Sequence, residues 1–222
     1  MGMSEREPRW RLFVAIETPS SWKSYLADVQ AQLEERLPGE IRWVHPELLH
    51  LTLVFLAEQP VRELAEIQAA ITGVAEATPA FRLDLGQPGT FGRAGSVGVI
   101  WTGVEDRRGV LEPLHQQLVQ ALVATGIQFE AGRFQPHLTL GRARDREHGV
   151  PVRQLQAVLR GLPHRRRPAG FPVRSLALFR SQLYPSGPIY TVLSEHALAP
   201  AARVAEVDQE AEFEPGPGSE GI

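Results

Sequence analysis

His50 and Thr52 stand two residues apart, and so do His137 and Thr139, because residues 50–53 and 137–140 both read HLTL. The first copy lies inside ELLHLTLVFLAE and the second inside FQPHLTLGRARD. Side chains alternate along a strand, so each histidine shares a face with its threonine. Leu51, Leu53, Leu138 and Leu140 take the opposite faces and fix register, since a one-residue slip would bury the imidazole. Histidine, with an unperturbed pKa of about 6.5, acts as acid or base near neutrality. If the two polar faces oppose across a cleft, one neutral imidazole can take a proton from a nucleophile while one imidazolium protonates a leaving group. Each transfer is worth roughly 10²–10⁴-fold. The threonine hydroxyls can donate to oxygens on which charge develops. In-line displacement at phosphorus suits this arrangement and requires no metal.

The elements that must carry these residues emerge from pattern. RLFVAIE (11–17) alternates as a strand. Residues 18–39 read as a helix, with Thr18 or Ser20 able to cap it. Its apolar face is Trp22, Leu26, Val29, Leu33 and Leu37, and Pro38-Gly39 stops it. Residues 41–44 and 49–57 read as strands around a His45-Pro46-Glu47 turn, 60–78 as a second amphipathic helix and 81–86 as a strand. Residues 95–104 are a strand, 109–126 a helix, 134–143 the second HLTL strand and 150–162 a shorter helix. Residues 173–198 read as two strands joined by a Tyr-Pro-Ser-Gly-Pro turn. This predicts an α+β fold of antiparallel sheets, with helices on one face of each, and the repeated HLTL fits a duplicated lobe.

Composition narrows the function. A chain of 222 residues can build one sizeable domain or two small lobes sharing a cleft. No apolar run approaches the roughly 20 residues of a spanning helix. The opening MGMSEREPRWRLFVAIE has acids and a proline where a signal peptide needs basic and then apolar stretches. Without cysteine there is no disulfide, no thiolate nucleophile and no cysteine-ligated zinc. A cytoplasmic protein with no membrane partner is expected. Residues 204–222 hold six acids and no basic residue, so the rest of the chain is about +3 despite a net charge of −3. The expected organisation is one bilobal domain over 1–200 and an acidic, disordered tail over 201–222. Arginine accounts for 22 of the 23 basic residues, and its planar fork suits phosphate.

The paired His-x-Thr strands resemble the two-histidine phosphoesterase superfamily, and within it the RNA 2′,3′-cyclic phosphodiesterase (2′-5′ RNA ligase) family. RWRLFVAIETP is similar to that family's opening strand, WVHPELLHLTLVFL to its first motif, FQPHLTLGR to its second and SQLYPSGPIYTVL to its closing strand pair. The resemblance spans about residues 9–196. It implies a bilobal fold with pseudo-two-fold symmetry and a central cleft, and hydrolysis of a ribose 2′,3′-cyclic phosphate to a 2′-phosphate. In it, His50 is the general acid for the departing 3′ oxygen and His137 the base that activates water. Thr52 and Thr139 bind non-bridging oxygens, and Arg142, five residues past His137, neutralises phosphate charge. Some members of the family also join such an end to a 5′ hydroxyl. Position 48, asparagine-like in the family, is leucine here, so no specificity role is carried onto Leu48 or His45.

Other residues compete for attention. Arg133, Phe134 and Arg93 are expected substrate contacts, the two arginines in loops and Phe134 as a base-stacking ring. Phe55 falls at an odd offset from His50 and is expected in the core. His115 is expected to be a partly buried helix residue, and His148, His164 and His196 have no evident partner. The run HRRRP (164–168) reads as a solvated loop. The glycines of 90–98 mark a loop near the cleft. No cofactor is implied, and a monomer acting on RNA or a nucleotide is expected. Two other readings remain. A metal-dependent hydrolase would need a third ligand that the spacing does not supply. A single-stranded RNA-binding module would need exposed aromatics on its sheet.

Overall fold

The computed structural model describes residues 7–93, 95–145, 149–160 and 166–201. The acidic tail lies outside the described residues apart from its first position, as do His148 and His164. Ten strands and four α-helices are described: β1 (Arg9–Glu17), α1 (Ser20–Arg36), β2 (Ile41–Trp43), β3 (His50–Pro60), α2 (Leu64–Ala77), β4 (Phe81–Arg93), β5 (Ser96–Glu105), α3 (Leu111–Ala124), β6 (His137–Ala143), β7 (Val150–Pro151), α4 (Val152–Arg160), β8 (Phe171–Val173), β9 (Ser175–Tyr184) and β10 (Gly187–Ala197). They form two antiparallel sheets. The first runs β10-β9-β1-β3 and the second β2-β6-β5-β4-β8, with β7 also pairing β5. The α+β class is as the sequence predicts.

The sheets share one pairing, at the edge of the first and inside the second. β1 pairs the first HLTL strand β3, and β5 pairs the second, β6. The helices are exchanged between them. α1 comes after β1 of the first sheet yet covers the second. Gln30 Nε2 donates to the carbonyls of Val44 and Leu140 at 2.7 and 2.8 Å, and Trp22 packs edge-on against Phe171 at 4.8 Å. α3 comes after β5 of the second sheet yet packs on α2 and β3, where α2 also backs β9 and β10. One continuous core results, containing Leu12, Val14, Leu51 and Leu118 together with Ile41, Leu83, Ile100 and Leu138.

Sequence and structure differ at identifiable points. β4 runs on to Arg93 and closes a long hairpin with β5, where the glycine-rich stretch was expected to be a loop. Glycine is needed at position 92 because the Ser96 carbonyl occupies the space a Cβ there would fill, and just before the stretch the Trp101 indole does the same at Gly89. Pro19, not Thr18 or Ser20, caps α1, without a side-chain bond. The Thr18 hydroxyl instead donates to the Leu49 carbonyl at 2.8 Å, fixing the backbone next to His50. The short strand β8, which extends the second sheet from Phe81–Leu83, carries no two-residue pattern long enough to read.

Candidate active site

His50 is the first residue of β3 and His137 the first of β6. The same local device holds each. The Nδ1 of His50 lies 2.7 Å from the carbonyl of Leu48, and the Nδ1 of His137 lies 2.6 Å from the carbonyl of Gln135. A carbonyl can only accept, so Nδ1 carries the proton and Nε2 is the nitrogen left for chemistry. Thr52 stands opposite Ala15 on β1, and Thr139 opposite Trp101 on β5.

Directly after each threonine the ladder slips by one residue. Val14 faces Val54 where Ala15 faces Thr52, leaving Leu53 as the extra residue. Ile100 faces Gly141 where Trp101 faces Thr139, leaving Leu140 extra. A bulge reverses the sidedness of the residues beyond it. It returns the residue five past each histidine, Phe55 and Arg142, to the histidine face. Phe55 was expected in the core by simple alternation and is instead 40% exposed, with the Arg11 guanidinium 4.4 Å over its ring. Arg142 sits opposite Val99 and Arg42 and is exposed.

Aromatic rings wall both imidazoles. His50 stacks on Phe13 at 4.8 Å, with Tyr190 edge-on at 5.3 Å and Phe179 at 6.2 Å. His137 meets Phe91 edge-on at 4.9 Å and Trp101 at 5.8 Å. Burial pushes the His50 pKa down; the Leu48 carbonyl works against this, and repulsion from the His137 charge adds to it. Burial likewise lowers His137, opposed by the Gln135 carbonyl and reinforced by Arg142. Tyr190 is raised by burial, with Arg142 and Arg11 pulling the other way. Histidines from separate sheets thus lie close enough for their charges to interact, and Arg142 acts on a group from each sheet.

The remaining residues take varied places. Phe134 lies flat on His115 with centroids 4.1 Å apart and is partly buried against the core, so α3 covers one face of its ring. Arg133 is exposed in the segment entering β6. Arg93 is the last residue of β4, opposite Ser96, and not in a loop. His196 is buried, hydrogen-bonded to the hydroxyls of Thr72 and Ser194 at 2.8 Å each. Among the described residues, no three His, Cys, Asp or Glu side chains are grouped as a metal site. Sequence reasoning passed over Phe13, Tyr190, Phe91, Trp101 and Arg11. For Phe13 a signal was present, since in RLFVAIE it alternates away from Leu12 and Val14.

Two antiparallel sheets that each bring a His-x-Thr strand to one place define a two-lobed, two-histidine architecture. The family described as the 2′-5′ RNA ligase superfamily matches residues 18–184. The RNA 2′,3′-cyclic phosphodiesterase of Thermus thermophilus is 33% identical over 193 residues, which span 85% of this chain and 90% of the relative. The protein of that name from Thermotoga maritima is 30% identical over 185 residues, spanning 83% and 94%. Among solved structures, TT0787 of Thermus thermophilus superposes with a TM-score of 0.67 at 29% identity, covering 86% of this chain and 98% of that one. Apo LigT of E. coli gives 0.67 at 25% identity with the same coverage. The chain belongs to the 2′-5′ RNA ligase superfamily.

Proposed function

We propose that the protein opens a ribose 2′,3′-cyclic phosphate, at an RNA end or on a nucleotide, to a 2′-phosphate. His137 Nε2 takes a proton from water as the water oxygen bonds to phosphorus. The P–O3′ bond breaks, and O3′ takes the proton from His50 Nε2. Thr52 and Thr139 donate to the non-bridging oxygens, and Arg142 offsets their charge. Arg93 and Arg133 serve as outer phosphate contacts. Burial lowers both imidazoles in the free protein, and the phosphate anion raises them again on binding, supplying the protonated acid. A 5′ hydroxyl in place of water would give 2′-5′ joining with the same residues.

The observation that carries this reading is the pair of carbonyl-anchored imidazoles, one from each sheet, whose charges interact. Membership of the superfamily and the names of the relatives support it. The reaction needs no metal. The reading includes a cytoplasmic location, for which the cysteine-free sequence is support, a monomeric state, and a tail (201–222) separate from the catalytic domain (1–200). No helix among the described residues is long and apolar enough to cross a membrane. The test is phosphorus NMR of a 2′,3′-cyclic nucleotide incubated with the protein and a chelator. Accumulation of the 2′-phosphate alone is expected; a 3′-phosphate, or turnover abolished by the chelator, overturns the mechanism.

A further inference from the structure

Arg42 on β2 stands directly opposite Arg142 on β6. The flanking residues show which face they share. The side chains of Ile41 and Trp43 both crowd the position a Cβ on Gly141 would take, so they and Gly141 point to the back of the sheet. Arg42 and Arg142 therefore both project from the front, the face of His137 and Thr139. Like charges directly opposite on neighbouring strands are destabilising. Among the described residues neither guanidinium lies within ion-pairing distance of a carboxylate, whereas the exposed Arg62 and Arg107 do. Two unneutralised forks side by side make an anion site.

The pair is graded in position. Arg142 acts on His137 and Tyr190, so it faces the reacting centre. Arg42 is one strand farther out, on the edge strand of the sheet, where a polymer can leave without meeting another strand. We propose that Arg42 binds the phosphate preceding the cyclic end, making the site selective for RNA termini over free cyclic nucleotides. This rests on the cyclic phosphodiesterase reading. A 2′,3′-cyclic terminus has one neighbouring phosphate, carried on its own 5′ oxygen. A guanidinium placed there reads backbone and not base, so the selectivity is for chain and not for sequence.

The experiment compares a dinucleotide ending in a 2′,3′-cyclic phosphate with the corresponding nucleoside 2′,3′-cyclic phosphate. In Arg42→Ala the ratio of kcat/KM, dinucleotide over nucleoside, falls about tenfold. The fall of kcat/KM with rising salt becomes shallower for the dinucleotide in the variant, because one screened charge–charge contact is gone. An unchanged ratio overturns the assignment. A second measurement separates this from the reaction itself: calorimetric binding of a 2′-phosphorylated dinucleotide and of a nucleoside 2′-phosphate, to the unaltered protein and to Arg42→Ala. A loss confined to the dinucleotide supports the Arg42 site even if neither cyclic substrate turns over, an outcome that would remove only the phosphodiesterase reading. Equal losses on both ligands, or none, overturn the Arg42 site.

Discussion

Strand β3 carries Phe55 where β6 carries Arg142, five residues past the histidine in each, and both are brought to the histidine face by a bulge after the threonine. Up to that point the strands match: a histidine opening the strand, Nδ1 on the carbonyl two residues back, then the threonine. Beyond it they diverge, one lobe offering a ring and the other a charge. The walls differ too. Phe13, Phe179 and Tyr190 enclose His50, and its carbonyl bond is partly buried, whereas that of His137 is exposed. Duplicated backbone geometry thus positions matching imidazoles, while side chains beside them make the halves unequal. The acid and base proposed above need that inequality.

The largest loss should come from removing what the two strands share. Replacing His50 or His137 with alanine should lower kcat roughly 10²–10⁴-fold on a 2′,3′-cyclic nucleotide. The denaturation midpoint should stay near that of the unaltered protein, as steady-state kinetics and a urea titration would show. Next comes the point of divergence. Arg142→Ala should cost about 10²-fold in kcat/KM by removing a donor to developing charge. Phe55→Ala should cost less than about tenfold, felt mainly in KM, because a ring can stack but cannot neutralise. Equal losses in the two variants would mean that the lobes are not specialised as described.

A pH titration probes the same contrast. Both histidines are lowered by burial in the free protein, so the rising limb of kcat/KM should lie below about pH 6.5. His115 and His196 are lowered by burial as well. In all four, the unfolded chain binds protons that the folded one resists. Stability should therefore be full above about pH 6.5 and decline as pH falls through the folded values, which thermal melts at several pH values would record. A limb above pH 7, or melts indifferent to acid, would contradict burial as the cause. The smallest effect belongs to β3 alone. Ala57 is the one non-glycine with positive φ among the described residues, at 55°. Ala57→Gly should stabilise by about 0.5–1 kcal/mol, read as a raised denaturation midpoint.

Much of the scaffold was legible because burial imposes period. Trp22, Leu26, Leu33 and Leu37 are fully buried as the helical pattern of α1 requires, and Leu51, Leu53, Leu138 and Leu140 face the core. The imidazoles are placed by the same alternation. Legibility failed where a ladder loses its regular step. No local pattern announces the extra residue at Leu53, so alternation alone turns Phe55 the wrong way, and Gly92 reads as a loop because the close approach of the Ser96 carbonyl that requires glycine there leaves no side chain to alternate. The stacking of Phe134 on His115 escapes for a related reason: His115 belongs to a helix that crosses to the other sheet.

That crossing of helices sets a limit on motion. With α1 backing the second sheet, α3 backing the first and a single apolar interior running through both, the halves cannot swing like jaws without tearing that interior open. On the proposed reading, the gap between the two imidazoles is then a fixed gauge: a phosphorus centre that matches it is gripped without waiting for a lid, and a bulkier molecule must hang its excess outside the mouth.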